Sequence, residues 1–164
     1  NQYCVIMATL SLLENVVEYI LLYRPDIANG FNWDSVSAHS HISFAFIDSH
    51  PEYEWSHYYL SRNRSIAWST FTTNLQYDWD WFYLSNHVDL DFNFVLAHLE
   101  FDWDFRVLSF HPNVNAVIIQ ANIELPWDWI YIARNKNLSY EFRTTNIDKF
   151  DLEFITRHDI ITDT

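Results

Sequence analysis

Glycine, cysteine and methionine each occur once in 164 residues, and proline four times. A single glycine excludes a glycine-rich phosphate loop. It also counts against an all-β chain, which would turn tightly about every ten residues and would normally use more glycine. The lone cysteine, Cys4, excludes an intrachain disulfide framework and a cysteine-built zinc site, and it points weakly to an intracellular reducing compartment. Basic residues are scarce too, nine against 22 acids, for a net charge of −13. That balance argues against nucleic-acid backbones and anionic membrane surfaces as partners and permits a basic protein. Residues 4–23 are apolar but carry Ser11, Glu14, Asn15 and Glu18 and have no basic leader, so they read as neither membrane span nor signal peptide. The hydrophobic fraction of 49% and aromatic fraction of 19% suffice for a buried core despite the charge.

The chain is organised as a tandem repeat. Phe31, Trp55, Trp79, Trp103 and Trp127 recur at a 24-residue step and define column 1. A fixed period of this length signals a repeat architecture before any local motif is considered. Column 6 is always aliphatic (Val36, Leu60, Leu84, Leu108, Ile132), and so is column 12 (Ile42, Ile66, Leu90, Val114, Leu138). Column 7 is small (Ser37, Ser61, Ser85, Ser109, Ala133). Columns 9 and 20 hold only His or Asn: His39, Asn63, His87, His111 and Asn135 in the first, His50, Asn74, His98, Asn122 and Asn146 in the second. A further copy runs one residue early, with Phe150, Asp151, Ile155, Thr156, His158 and Ile161 at the matching columns. Residues 1–30 fit poorly, with Leu12 and Asn15 at columns 6 and 9, Val17 at column 12 after a deletion, and Leu21 and Leu22 at columns 16 and 17; they read as a degenerate unit or cap. Residues 31–164 form the array. The chain starts at Asn1 and stops inside a repeat, which we read as an excerpt of a longer protein.

Two short helices per repeat are expected, helix A over columns 14 to 19 and helix B over columns 1 to 8. Column 13 (Ser43, Ala67, Asp91, Asn115, Ser139) supplies mostly N-cap residues for helix A. The His/Asn columns are expected to end helices in the left-handed conformation that Asn tolerates. Acids gather where helix B begins (Glu54, Asp78, Asp80, Asp102, Asp104, Asp128) and bases where it ends (Arg62, Arg134, Lys136, Arg157), as the helix dipole favours. Pro126 before Trp127 suits a first helical turn. A strand is the rival for residues 90–105, where Asp-Phe-Asn-Phe and Phe-Asp-Trp-Asp-Phe alternate. Equivalent columns elsewhere do not alternate, so the expected fold is an all-α solenoid of about six 24-residue helix-turn-helix repeats.

Trp79-Asp80-Trp81 followed by Leu84-Ser85, and Trp127-Asp128-Trp129 followed by Ile132 and Asn135, resemble the tandem tryptophan-rich repeats of large DNA viruses of the mimivirus type. The recurring phrase there is Pro-Trp-Asp-Trp, Leu-Ser, Asn, Ile-Thr. The resemblance covers residues 31 to 162 and is nearly complete only at Pro126 to Ser139; His57 in place of the second tryptophan marks a diverged copy. It implies a helical array, a viral source and localisation in the host cell or virion, and it implies no catalytic residues.

His39-Ser40-His41 with His50 looks like a ligand cluster, but Asn replaces His in the same columns of other repeats, and a metal ligand does not exchange freely for Asn. Carboxylate pairs such as Asp78/Asp80 and Asp102/Asp104 recur along the array, whereas a catalytic site is singular. Ser109 and His111 are two apart and would not face each other on a helix. No enzyme activity, cofactor or metal site is therefore expected. The column-1 tryptophans read as packing residues rather than stacking platforms, while column 3 (Trp33, His57, Trp81, Phe105, Trp129) stays open between core and surface.

Columns 22, 24 and 2 hold about half of the 22 acids, and stacking would align them into a ridge. Solubility of a very apolar array is the plainer use of such a ridge and is slightly preferred. The functional use is recruitment of a basic peptide, a histone-like tail or another virion protein, with Asp78, Asp80, Asp102, Asp104, Glu124 and Asp128 as the candidate contacts. The expected function is a non-enzymatic protein–protein interaction scaffold using an acidic ridge or groove; the alternative is a structural component of a large DNA virus particle. Binding predicts exposed columns that differ between repeats, as columns 4, 8 and 10 do.

Overall fold

The chain is all-α in a computed structural model that describes residues 11–28 and 30–150. It forms two compact units, residues 1–80 and 81–164. The first contains α1 (Leu12–Tyr23), α2 (Pro25–Ala28), α3 (Trp33–Ser37), α4 (Phe44–Asp48), α5 (His57–Leu60) and α6 (Trp68–Thr73). The second contains α7 (Trp81–Leu84), α8 (Phe92–Ala97), α9 (Phe105–Phe110), α10 (Ala116–Ala121), α11 (Trp129–Arg134), α12 (Tyr140–Thr145) and a 3-10 turn, Ile147–Lys149. From α3 onward this is a solenoid-type repeat of paired short helices, with no strand among the described residues. The strand-like stretch from Leu90 to Phe105 forms α8 and the loop after it.

Helix A occupies the expected columns because column 13 stops the chain in extended conformation and caps the next turn. Ser43 Oγ accepts from the Phe46 amide, Asp91 from Asn93, Asn115 from Ile118 and Ser139 from Phe142. Only Ala67 caps without a side-chain bond.

Helix B starts two residues later than expected, at column 3. Column 2 is its N-cap: Asn32, Ser56, Asp104 and Asp128 accept the backbone N–H groups of the first turn. Their φ near −85° and ψ near 100° are non-helical, and an N-cap residue lies outside the helix proper. Column 1 therefore precedes the helix. Its indole N–H reaches back to the column-20 carbonyl five residues earlier: Trp55 to His50, Trp79 to Asn74, Trp103 to His98 and Trp127 to Asn122, each 2.8 Å. The buried ring and this bond together close the loop between helix A and helix B.

The His/Asn columns work differently from expectation. No left-handed backbone is found at the cap residues measured: His111 has φ −64°, Asn135 −70°, Asn74 −122° and Asn122 −131°. The shared property is the side chain's donor and acceptor. In column 20 the amide N–H of Asn74, Asn122 and Asn146 donates to the carbonyl four residues back, satisfying the end of helix A. In column 9 the side chain ties successive repeats. Asn63 donates to the carbonyls of His39 and Ile42 at 3.0 and 2.8 Å, and Asn135 to those of Ser109 and Val114 at 3.1 and 3.2 Å.

Residues 11–28 also depart from the pattern. Asn15 lies inside the 12-residue α1 instead of ending a helix. Val17 and Leu21 are buried, whereas Leu22 is exposed. A capping box, Ser11 with Glu14, starts α1. Glu14 is buried, and its other oxygen accepts the Ser43 N–H at the start of α4. Burial pushes this carboxyl up, but hydrogen bonds from Ser11 and Ser43 outweigh it and hold the group below its usual range.

Columns 6 and 12 form the core: Leu60, Leu108 and Ile132, and Ile42, Ile66, Leu90, Val114 and Leu138, are buried, with Val36 half-buried. Column 17 joins them through Ile47, Phe71, Val95 and Ile119. Column 7 is serine for a polar reason. Ser37, Ser61, Ser85 and Ser109 are buried and accept the column-2 N–H of the next repeat, from Ser56, Asp80, Asp104 and Asp128, at 2.9–3.0 Å. Ser61, Ser85 and Ser109 pass their own O–H to the carbonyl four residues back. Ser85→Ala removes the only protein acceptor described for the buried Asp104 N–H, and a buried donor left unpaired costs about 1–3 kcal/mol. The denaturation midpoint should fall accordingly, and an unchanged midpoint would mean that column 7 requires small size alone.

Column 3 becomes the second rail of an aromatic ladder. Trp33 stacks on Tyr53, His57 on Tyr77 and Trp81 on Phe101, at 5.1, 4.0 and 4.5 Å. Each ring also meets the next column-1 ring, as in Trp33–Trp55, Phe105–Trp127 and Trp129–Phe150. Where column 23 is lysine, the Lys149 ammonium lies 5.7 Å above the Trp129 ring, a cation–π substitute for a stack. Phe150 is thus buried as a column-1 residue. Asp151, Ile155, Thr156, His158 and Ile161 of that copy, and Arg157, lie outside the described residues.

Candidate docking face

Burying columns 6 and 7 of helix B turns columns 4 and 8 outward. Column 4 is exposed in every described repeat: Asp34, Tyr58, Phe82, Arg106 and Ile130. So is the loop column 10: Ser40, Arg64, Val88, Pro112 and Lys136. In column 8, Arg62, Asn86, Phe110 and Arg134 are exposed and Ala38 is half-buried.

In the second unit this face carries large apolar side chains on successive helices, Phe82 on α7 (48% exposed), Phe110 on α9 (47%) and Ile130 on α11 (40%). Two open clefts lie among them. One, of about 510 Å³, runs past the starts of α9 and α11, between Phe82, Arg106, Trp129, Ile130 and Lys149. The other, of about 410 Å³, is more apolar and is walled by Phe82, Tyr83, Val107, Phe110 and Tyr131, with His111 at its edge. In the first unit the same columns carry a different group. The Arg62 guanidinium lies 4.8 Å from the Tyr58 ring and 5.5 Å from the Tyr59 ring, bonds the Tyr58 hydroxyl at 2.8 Å, and sits 3.6 Å from the Asp80 carboxylate.

The acidic candidates divide by column. Asp78, Asp102 and Glu124 are exposed. The column-2 carboxylates turn back toward the chain. Asp104 is only 5% exposed, accepts the Arg106 and Val107 N–H groups and pairs with the Arg106 guanidinium at 3.2 Å. Asp128 is half-buried and caps α11 through the Ile130 and Tyr131 N–H groups, and the Asp80 side chain is mostly covered beside Arg62. The expectation that Asp80 and Asp104 face water is therefore corrected: Asp104 caps α9 and must point at that first turn, and the Asp80 carboxylate lies against Arg62.

The histidine cluster comes apart. The His39 and His41 rings are 5.2 Å apart and tilted, while His50 bonds the Phe46 carbonyl at 2.9 Å and packs on the Phe46 ring. Among the described residues no group of three His, Cys, Asp or Glu is placed to hold a metal ion. Desolvation holds His57 below its usual range, against a smaller upward pull from Asp78. His111 is held down by desolvation and by the nearby His87 ring, against the raising effect of its bond to the His87 carbonyl.

The exposed row Phe82, Phe110 and Ile130 was not singled out from sequence as a contact surface. Its signal was present, since these are apolar residues in columns that elsewhere hold Asp34, Arg106, Arg62 and Arg134. Among the described residues no helix is long and apolar enough to cross a membrane. Compared with protein-family models, curated proteins and solved structures, the chain matches none.

Proposed function

We propose that this chain is a non-enzymatic scaffold that holds a protein partner on the outer face of its B helices. One observation carries the reading: columns 4, 8 and 10, exposed at every described position but the half-buried Ala38, change character from repeat to repeat, whereas columns 6, 7 and 12, buried at every described position but the half-buried Val36, do not. An array that only stacks on itself gains nothing from large apolar groups facing water, whereas exposed aromatic rows suit partner contact. The partner chemistry that fits is an apolar or aromatic side chain entering the clefts of the second unit, with basic residues meeting Asp102 and Glu124 at exposed acidic positions of the same unit. Against catalysis, the column-7 hydroxyls and the column-2 carboxylates of Asp104 and Asp128 are already engaged by backbone groups.

Pull-down with mass spectrometry, with virus particles examined alongside, identifies the partner, and titration calorimetry then measures it. Replacing Phe82, Phe110 and Ile130 together by Ser should weaken binding at least about tenfold, because a few large central residues dominate such surfaces, while the helical circular dichroism is unchanged. Neutralising Asp102 and Glu124 should weaken it less and reduce its salt sensitivity, since exposed charges are screened over about 8–10 Å at 0.1–0.15 M. Unchanged affinity in both variants would reject the face. Recovery only within virus particles, with neither variant altering assembly, would support a structural particle component instead.

A further inference from the structure

We propose that His111 makes the joint between the repeats of α7 and α9 sensitive to mild acid, whereas the joints held by Asn63 and Asn135 are not. The three residues occupy column 9 and are buried to 1–2% exposure. Each uses its side chain in the same two ways. One atom accepts a backbone N–H two residues on: Asn63 Oδ1 from Ser65 at 3.0 Å, Asn135 Oδ1 from Asn137 at 3.0 Å, and His111 Nδ1 from Asn113 at 3.1 Å. The other reaches the column-9 carbonyl of the preceding repeat: Asn63 Nδ2 to His39 at 3.0 Å, Asn135 Nδ2 to His111 at 3.4 Å, and His111 Nε2 to His87 at 3.0 Å. The imidazole thus stands in for an amide, Nδ1 for Oδ1 and Nε2–H for Nδ2–H.

The match holds only while the ring is neutral. With Nδ1 accepting from an amide, the single ring proton belongs on Nε2. A second proton must go on Nδ1, where it meets the Asn113 N–H head-on and turns an acceptor into a donor. The site is poorly able to take the charge. His87 faces the ring from the loop after α7, and its own Nδ1 accepts the Asp89 N–H at 3.2 Å. Tyr83 on α7 and Tyr131 on α11 line the same cleft, and the Asp104 carboxylate there is committed to Arg106 and its cap. Protonation is therefore easiest if the ring leaves its slot, and leaving breaks the bond between the repeats.

The sign follows from the lowered proton affinity. Stability from a neutral buried ring is fully present above the ordinary histidine value of 6.5 and is lost as pH falls through it toward the depressed folded-state value. Asn63 and Asn135 do not titrate, so their joints stay closed. His111 also borders the apolar cleft, so on the docking reading above the joint would govern that cleft too. The titration needs no partner and can fail or succeed apart from that reading.

The test compares the full chain with His111→Asn, a side chain that the same column already accommodates. Long-range ¹⁵N NMR should show the His111 ring as the Nε2–H tautomer, titrating below pH 6.5. Between pH 7.5 and 5, hydrogen-exchange protection at Asn113 and Leu108 should fall several-fold in the parent after correction for intrinsic rates, and stay level in His111→Asn. Parallel losses in both proteins, or an imidazole that titrates at or above 6.5, would overturn the proposal. Should His111→Asn fold poorly, the ring's tautomer and titration in the parent decide by themselves.

Discussion

Trp127→Ala should destabilise the second unit by about 3–5 kcal/mol, the range for removing a buried large aromatic. Trp127 is 6% exposed, stacks on Phe92 with centroids 5.5 Å apart, meets the Phe105 ring edge-on at 5.8 Å, and donates to the Asn122 carbonyl at 2.8 Å. Alanine removes the packing between successive repeats and the bond closing the helix A to helix B loop together. Trp127→Phe keeps an aromatic ring in the ladder while losing the N–H and part of the indole's volume, at a smaller cost of about 1–3 kcal/mol. Urea unfolding of the full chain measures both. Equal losses for the two variants would place the energy in the hydrogen bond and contradict a packing role for the ladder.

The next largest effect is expected at Leu84, in the middle of the column-6 row. Leu84 is 1% exposed, and Phe82, two positions earlier on the same helix, is 48% exposed. Residues two apart on a helix point to nearly opposite sides. Leu84→Ala should cost about 2–5 kcal/mol by lost transfer energy and residual cavity, whereas Phe82→Ser should stay within about 0.5 kcal/mol, as surface changes do. The unfolding midpoints of the two variants give the comparison. If they fall equally, the facing of α7 is wrong, and with it the docking surface that includes Phe82.

Much of this could be read before any coordinates. The 24-residue step, the aliphatic columns 6 and 12 and the capping column 13 are local statements. They depend on which residue types can fill a core or accept a first-turn N–H, so they appear in every copy. Helix A accordingly runs where its pattern put it, and the column-1 tryptophans Trp55, Trp79, Trp103 and Trp127 are buried. The start of helix B was harder to read, because an acid at a helix start looks alike in sequence whether it is the N-cap or the first helical residue. Hydrogen bonds to Asp104 and Asp128 resolve this, and they turn inward two carboxylates assigned to the acidic ridge.

The sequence by itself determined that the chain is a tandem repeat with columns 6 and 12 in its core, since only a buried position keeps an aliphatic side chain in every copy. Only the tertiary structure decided why column 9 accepts His and Asn alone, why column 7 is serine, and what column 3 does. Each answer lies in a contact with a different part of the chain: Asn63 with the His39 carbonyl, Ser85 with the Asp104 N–H, Trp33 with Tyr53. A substitution pattern records that a donor, an acceptor or a ring is needed at a position. The partner it meets some twenty residues away is set by how the repeats stack, and that stacking appears only once the chain is folded.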